Sequence, residues 1–378
     1  MYWQPYLLRR SDSADFGSTY RIDLPKSGVV GSIFLNISAD QVSNAFINGG
    51  AERIVDYIDK VEIIGNGATI IKSLTGQQIQ ALAFYDQGIV SPDVIRTYAS
   101  NTQMCRLLLN FGRWFGDPDL GLDLSKWDNV ELRITNSAST TYFQTEFSVT
   151  TILFQQRPSA QARSLGYLKT EIWRSWTSVK DAWEYLELPT EGIIRRILLQ
   201  AIPAYDSTSY AADTGFTNVL YDIQHYLLTG EQEVFVGRAS DLALLNLFYY
   251  GREVLAHLHP YVNADKALRT GVGYPLAHVF TPASYSGSAE SLVTTLTAGQ
   301  TADTLLFEQG AGAGPDEGLI KGYGYHNTLL LNHDWDQDPN TWLNPQSMKQ
   351  VLLNLHTRNS DTADNGTISV VLDRLVRM

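Results

Sequence analysis

Alternation of apolar and polar positions marks most of this chain as strand. Ile33, Leu35 and Ile37 alternate with Phe34, Asn36 and Ser38, and Val130, Leu132 and Ile134 alternate with Glu131, Arg133 and Thr135. A period of two is the pattern of an antiparallel strand with one buried face. Residues 54–64 are β-branched and end at Gly65-Asn66-Gly67, which supplies the positive φ of a tight hairpin returning through residues 68–72. Thr75 and Gly76 then open a short helix over residues 77–86, with Ile79, Leu82 and Ala83 as its apolar stripe and Gly88 as its stop. Residues 104–110, 130–135 and 143–154 read as further strands. About eight short strands with one small helix predict a jelly-roll sandwich.

Much of that pattern occurs twice. Leu24-Pro25-Lys26-Ser27-Gly28 before an apolar run is answered by Leu188-Pro189-Thr190-Glu191-Gly192 before another, 164 residues later (24 to 188). The helix-like segment ending Phe84-Tyr85 is answered at the same offset by Phe248-Tyr249. Leu107-Leu108-Leu109-Asn110 recurs as Leu329-Leu330-Leu331-Asn332 at an offset of 222 (107 to 329). The second copy therefore carries an insertion of 58 residues (222 less 164) between Tyr250 and Leu329. Two long copies predict two packed domains, since a solenoid needs about three repeats to bury a continuous core. The fold expected is all-β, with two tandem eight-stranded jelly-roll sandwiches, a short helix in each and a large loop insertion in the second. Residues 1–18 read as an N-terminal arm, 19–156 as the first jelly roll and 157–183 as a linker and junction segment rich in Trp (Trp173, Trp176, Trp183). Residues 184–378 read as the second jelly roll, with its inserted loop at about 261–325.

Composition narrows the function classes. A net charge of −12, from 28 basic and 40 acidic residues, argues against a surface that tracks phosphates, although Arg9-Arg10 and Arg195-Arg196 offer local basic patches. Cys105 is the sole cysteine, so no disulfide framework or multi-cysteine zinc site is available, and its apolar neighbours predict a buried, inert thiol. No apolar run approaches the ~20 residues that span a bilayer, and MYWQPYLLRR lacks a signal-peptide core. The sequence predicts a soluble chain.

Candidate chemistry is sparse. Gly310-Ala311-Gly312-Ala313-Gly314 lacks the register of a phosphate loop and runs into Pro315. Asp334, Asp336 and Asp338 alternate as in a calcium loop, but Pro339 and Pro345 stand where an EF-hand requires Gly and Glu. The stretch reads as a solvated turn, with a calcium-binding loop as the alternative. His257 and His259 share a face if extended, with His278, His326 and His333 as further candidate ligands, and structural histidines are the default reading. No residue is assigned a catalytic, cofactor-binding or metal role, and the protein is read as a non-enzyme.

The tandem arrangement, with residues 53–58 (RIVDYI), 61–67 (VEIIGNG) and 73–76 (SLTG) at its first hairpin and helix, resembles the double jelly-roll major capsid proteins of tailless icosahedral viruses, from membrane-containing bacteriophages to adenovirus hexon. The resemblance implies a homotrimer with a pseudo-hexagonal outline, trimer–trimer contacts in a lattice, and penton and minor capsid proteins as neighbours. It also implies a location in the virion shell after synthesis in the host cytoplasm, with the insertion as an outward tower. The aromatic arm (Tyr2, Trp3, Tyr6) would lie on the inner side, facing an internal lipid membrane, and no direct nucleic-acid binding is expected. The rival reading is a carbohydrate-binding or glycan-processing protein that uses Trp335, Trp342 and Tyr323.

Overall fold

The computed structural model describes residues 2–42, 53–94, 102–144, 146–157, 164–204, 215–251, 253–258, 261–262, 266–269, 272–282, 304–307, 314–359 and 364–377. In the first half, strands Tyr2–Ala14, Phe147–Arg157, Val29–Asp40 and Thr102–Asn110 lie side by side in that order. Strands Thr19–Asp23, Val130–Asn136, Ile58–Gly65 and Thr69–Leu74 make the opposing set. The second half repeats the plan. Gly166–Thr177, Thr367–Arg377, Ile193–Ile202 and Thr328–Asn332 form one set, and Trp183–Glu187, Val351–Thr357, Leu220–Leu227 and Gln232–Arg238 the other. The chain is two tandem eight-stranded jelly rolls.

Pairing registers repeat with the sequence. Ser32 pairs with Asn110 and Asn36 with Arg106; at the same two offsets, Arg196 pairs with Asn332 and Gln200 with Thr328. Each sandwich closes over its own core. Ile33, Leu35, Leu107, Leu132 and Val149 are fully buried in the first, and Ile197, Leu199, Ile223, Leu353 and Val370 in the second. Alternation along each strand places these residues inward.

The hairpin at Gly65 is a two-residue turn with Asn66 at φ 51° and Gly67 at φ 74°, closed by the Ala68 N–H donating to the Gly65 carbonyl at 3.2 Å. Two successive positive φ values match the right-handed twist of the flanking strands. Helix α1 (Gly76–Gln87) follows, opened by a reciprocal cap between Thr75 and Gln78 and closed by Gly88 at φ 64°. Helix α2 (Ala239–Tyr250) ends at Gly251, φ 62°. Aligning these caps sets the helices 163 residues apart (88 to 251), one less than the strands. Tyr85 of α1 thus corresponds in space to Phe248 of α2, a correction to the pairing of Tyr85 with Tyr249 that the sequence suggests.

Two segments differ from expectation for one reason. Residues 2–14, read as an arm, form an edge strand paired along Phe147–Arg157. Residues 166–177, read as part of a junction, form the strand that occupies the same place in the second sandwich, paired with Thr367–Arg377. Each is the first strand of its jelly roll. Pro5 and the exposed side chains hid the first, and both are tolerated on an edge strand, whose outer N–H groups need no partner in the sheet. Trp3 pins it, packing on Gly31, where a Cβ would stand 2.6 Å from the ring, and donating from Nε1 to the Gly116 carbonyl at 3.1 Å.

Within the insertion, Val272–Pro282 and Val254–Leu258 flank Gly314–Tyr325 antiparallel, and the strand-like runs of its sequence at residues 278–280 and 304–307 fall in the strands Val272–Pro282 and Thr304–Phe307. Residues 310–313 of the glycine-rich stretch lie outside the described residues, and Gly314 begins a strand.

Candidate functional site

The two jelly rolls meet along a seam. Strand Thr69–Leu74 runs parallel to Gly166–Thr177 through the pairs Lys72–Thr170 and Ser73–Glu171, fusing one sheet from each roll into a single eight-stranded sheet. Alternation aims charged side chains of these strands into the seam, where they pair. Lys72 Nζ donates to Thr170 Oγ1 at 2.5 Å, and that hydroxyl donates on to Asp373 at 2.7 Å. Arg196 reaches Asp373 at 2.9 Å and Asp86 at 2.8 Å. Arg195 reaches Asp334 at 2.8 Å and Asp86 at 3.1 Å.

Neighbouring residues of a strand should point to opposite faces. Arg195 and Arg196 share one cluster because the ladder to Thr367–Arg377 slips between Ile194 and Arg196, and such a bulge turns two successive side chains toward one side. The pair is therefore not a surface basic patch, as its sequence suggested, but a buried ionic knot joining the halves.

The electrostatics balance. Lys72, Arg195 and Arg196 face Asp86, Asp334 and Asp373, three charges of each sign. Burial alone would lower the Arg195 pKa, yet the carboxylates of Asp86, Asp373 and Asp334 raise it well above its ordinary range. Burial would raise that of Asp373, but Arg196, Lys72 and Arg195 hold it below the usual carboxylate range. For Lys72, burial wins and pushes the amine down to about 8, with Asp373 and Asp86 opposing. Beside the knot, Arg113 clamps Asp117 at 2.7 Å and Asp119 at 2.6 Å and crosses to the Gln337 carbonyl at 2.7 Å. A cleft of about 390 Å³ opens here between Asp86, Trp114, Arg195, Tyr249, Tyr250 and Asp334. The seam carboxylates are engaged by cations. What this arrangement does is fix the angle between two sandwiches.

Two histidines, His225 and His326, are buried nearby, and His333 is half-buried. His225 Nδ1 donates to the Leu352 carbonyl at 2.9 Å, which leaves its Nε2 to accept from His333 Nε2 at 3.2 Å. His326 Nε2 donates to Gln80 Oε1 at 2.7 Å, while its Nδ1 has no hydrogen-bond partner among the described residues. Burial holds His326 down at about 3, with Arg53 adding to the effect. Burial and the neighbouring His225 hold His333 at about 3 as well.

The residues singled out from sequence fall as follows. Asp334 turns inward to Arg195 and to Trp342 Nε1 at 2.7 Å, whereas Asp336 and Asp338 turn outward and bind backbone N–H groups of their own loop. Alternate direction separates the three carboxylates, and no cluster of three or more His, Cys, Asp or Glu able to hold a metal occurs among the described residues. His326 is a core residue and His333 is half-buried; the side chains of His257 and His278 and all of His259 lie outside what is described. Of the aromatic residues considered for a glycan surface, Trp342 and Tyr323 are buried and only Trp335 is exposed. Cys105 is buried, and burial raises its thiol pKa, with Asp93 adding to the effect. Sequence reasoning missed Lys72, Asp86 and Asp373. Their signal was charge inside an apolar run, Lys72 in residues 69–74 (TIIKSL) and the Asp373-Arg374 doublet in 368–376 (ISVVLDRLV).

No family model and no curated protein matches the sequence. Solved structures resemble the chain over its whole length. A crystal structure of the STIV MCP (Sulfolobus turreted icosahedral virus) has a TM-score of 0.63 at 11% identity, covering 100% of this chain and 97% of that one. The PBCV-1 virus capsid has a TM-score of 0.58 at 9% identity, covering 99% and 93%. The major capsid protein P2 from bacteriophage PM2 has a TM-score of 0.54 at 10% identity, covering 99% and 98%. At these identities the likeness is one of fold, and this chain has the double jelly-roll fold of those capsid proteins.

Proposed function

We propose that this protein is the structural major capsid protein of an icosahedral virus, assembling into homotrimers of pseudo-hexagonal outline that tile a closed shell. One observation carries the reading. The double jelly roll runs from end to end of the chain and matches capsid proteins over nearly the full length of both partners. A fold by itself hosts many functions, so the weight falls on the whole plan, two rolls locked edge to edge and matched over nearly all of each chain. The ionic seam supports a rigid tile. The net charge of −12 suits a shell that makes no direct contact with nucleic acid.

In this reading the protein resides in the virion after synthesis in the host cytoplasm, and its first partner is itself. Trimers then contact trimers, with penton and minor capsid proteins completing the shell. Tyr2, Tyr6 and Leu7 stand exposed on the first strand and supply the apolar contact to an internal lipid membrane. The inserted strands around Gly314–Tyr325 form the outward tower. The role is mechanical and requires no catalysis.

Light scattering on the purified chain, with negative-stain images of the same peak, tests the proposal. A stable trimer with a hexagonal outline is the expected result. A monomer at every concentration would overturn it.

A further inference from the structure

Helices α1 and α2 carry equivalent stripes at spacings i, i+3, i+4 and i+7, which fall on one helical face. The matched caps align Gln78, Ala81, Leu82 and Tyr85 of α1 with Asp241, Leu244, Leu245 and Phe248 of α2. In α1 all four are buried, and the face meets the second jelly roll. Gln78 Nε2 donates to Gln200 Oε1 at 3.0 Å, the Tyr85 hydroxyl donates to the Thr328 carbonyl at 3.0 Å, and the Tyr85 ring lies 5.1 Å from that of Tyr250. In α2 the same face is bare, with Leu244 44%, Leu245 41% and Phe248 85% exposed. Three large apolar side chains in one exposed stripe mark a contact surface.

The repeat says where that face should dock. Gln200 and Thr328, which receive α1, correspond through the pairing registers to Asn36 and Arg106. At that place on the first jelly roll lies a groove of about 130 Å³ lined by Phe34, Ala83, Ile89, Arg106 and Leu108. Its volume is close to the ~150 Å³ of a cavity that takes up benzene. Ala83 is two residues from Tyr85, about 200° around the helix, so the groove opens on the side of α1 away from the second jelly roll.

We propose that the Leu244–Leu245–Phe248 face of α2 docks into the Phe34–Ile89–Leu108 groove of a second copy of this chain. The contact repeats between molecules the one that α1 makes within a molecule. This assignment rests on the self-assembly proposed above and names the surface that performs it. Stripe and groove lie on different jelly rolls, so the contact is head to tail, and such contacts close into a ring when their rotation allows.

The test compares the full-length chain with Phe248→Asp by light scattering at equal concentration. The wild type is expected as an oligomer and the variant as a single chain, a drop of about threefold for a trimer, with an unchanged melting temperature. A variant that keeps the wild-type mass overturns the docking and leaves self-assembly standing. A wild type that runs as a single chain overturns the self-assembly reading itself. A second measurement does not depend on the Phe248 variant folding. Leu245→Cys and Ile89→Cys are made in separate chains, mixed and oxidised, the buried Cys105 contributing little background. A cross-link containing one of each supports the contact, and its absence at full oxidation overturns it.

Discussion

Acid should loosen this protein well before its carboxylates protonate, because of His326 and His333. Both rings are held at about 3, below their ordinary 6.5. The cause is visible in the hydrogen bonds. A second proton on His326 would sit on Nδ1, which has no acceptor among the described residues. A proton on His333 would charge a ring whose neighbour His225 is itself depressed by burial. For a group whose folded pKa lies below its unfolded one, the unfolded state binds more protons between the two values. The contribution to stability is then complete above pH 6.5 and is lost as the pH falls toward 3. At pH 5 the folded rings are still neutral, so the loss is set by the distance below 6.5. It is about 1.5 units for each ring, or roughly 2 kcal/mol each at ~1.4 kcal/mol per unit. Two rings give about 4 kcal/mol, a large share of an ordinary stability of ~5–15 kcal/mol. Asp93 works in the opposite sense, since burial raises its pKa, and a control must cancel it. Equilibrium urea unfolding at pH 7.5 and pH 5.0, followed by Trp fluorescence, should show wild type losing about 4 kcal/mol more than a His326→Gln/His333→Gln double variant. Equal losses in the two proteins would falsify the assignment.

Further outcomes follow from the seam and the strand edges. Asp373→Asn leaves Arg195 and Arg196 short of a buried partner and should cost about 3–5 kcal/mol in the same urea assay; a change within error would mean the knot is wet and slack. Gly31→Ala drives a methyl group into the Trp3 ring, at a cost of about 1–3 kcal/mol. Hydrogen exchange should then quicken selectively along residues 2–14, whereas uniform exchange would place the strain elsewhere. Thr75→Ala removes the acceptor for the Gln78 N–H and should cost about 1 kcal/mol, read from the melting temperature; an unchanged melting temperature would refute the cap's role. Deleting residues 2–14 bares the edge of Phe147–Arg157 and should produce aggregation rather than a shorter stable protein, a point that turbidity and sedimentation decide directly.

Much of the fold was legible because alternation and duplication are redundant signals. A period-2 strand such as Val130–Asn136 announces its buried face locally, and its counterpart elsewhere in the chain announces it again. The signal failed where only one face or one edge was engaged. Tyr2–Ala14 alternates poorly because its outer side meets solvent, so its aromatics read as an arm seeking a surface. The surface was the neighbouring strand of the same roll. The one-residue slip between strand and helix offsets was invisible for a related reason. Phe84-Tyr85 and Phe248-Tyr249 match as letters, while the helices are set by their cap glycines Gly88 and Gly251.

The seam resisted sequence reading because its partners are far apart in the chain, and nothing local says that a charge will be paired. Arg195-Arg196 looks like any basic doublet until the bulge beside Ile194 turns both inward. A knot of this kind adds little net stability over an apolar filling, since desolvation consumes most of the Coulomb attraction. What it adds is direction. Arg196 reaches both Asp86 and Asp373, and those carboxylates sit on different jelly rolls, so sliding one roll along the other by a single residue would strand charges in the interior. Leucines in the same place would tolerate that slide. Charge within an apolar β-run, at Lys72 and again at Asp373 in a duplicated chain, is therefore a legible sign of a fixed joint between domains, once the duplication supplies the second domain for it to join.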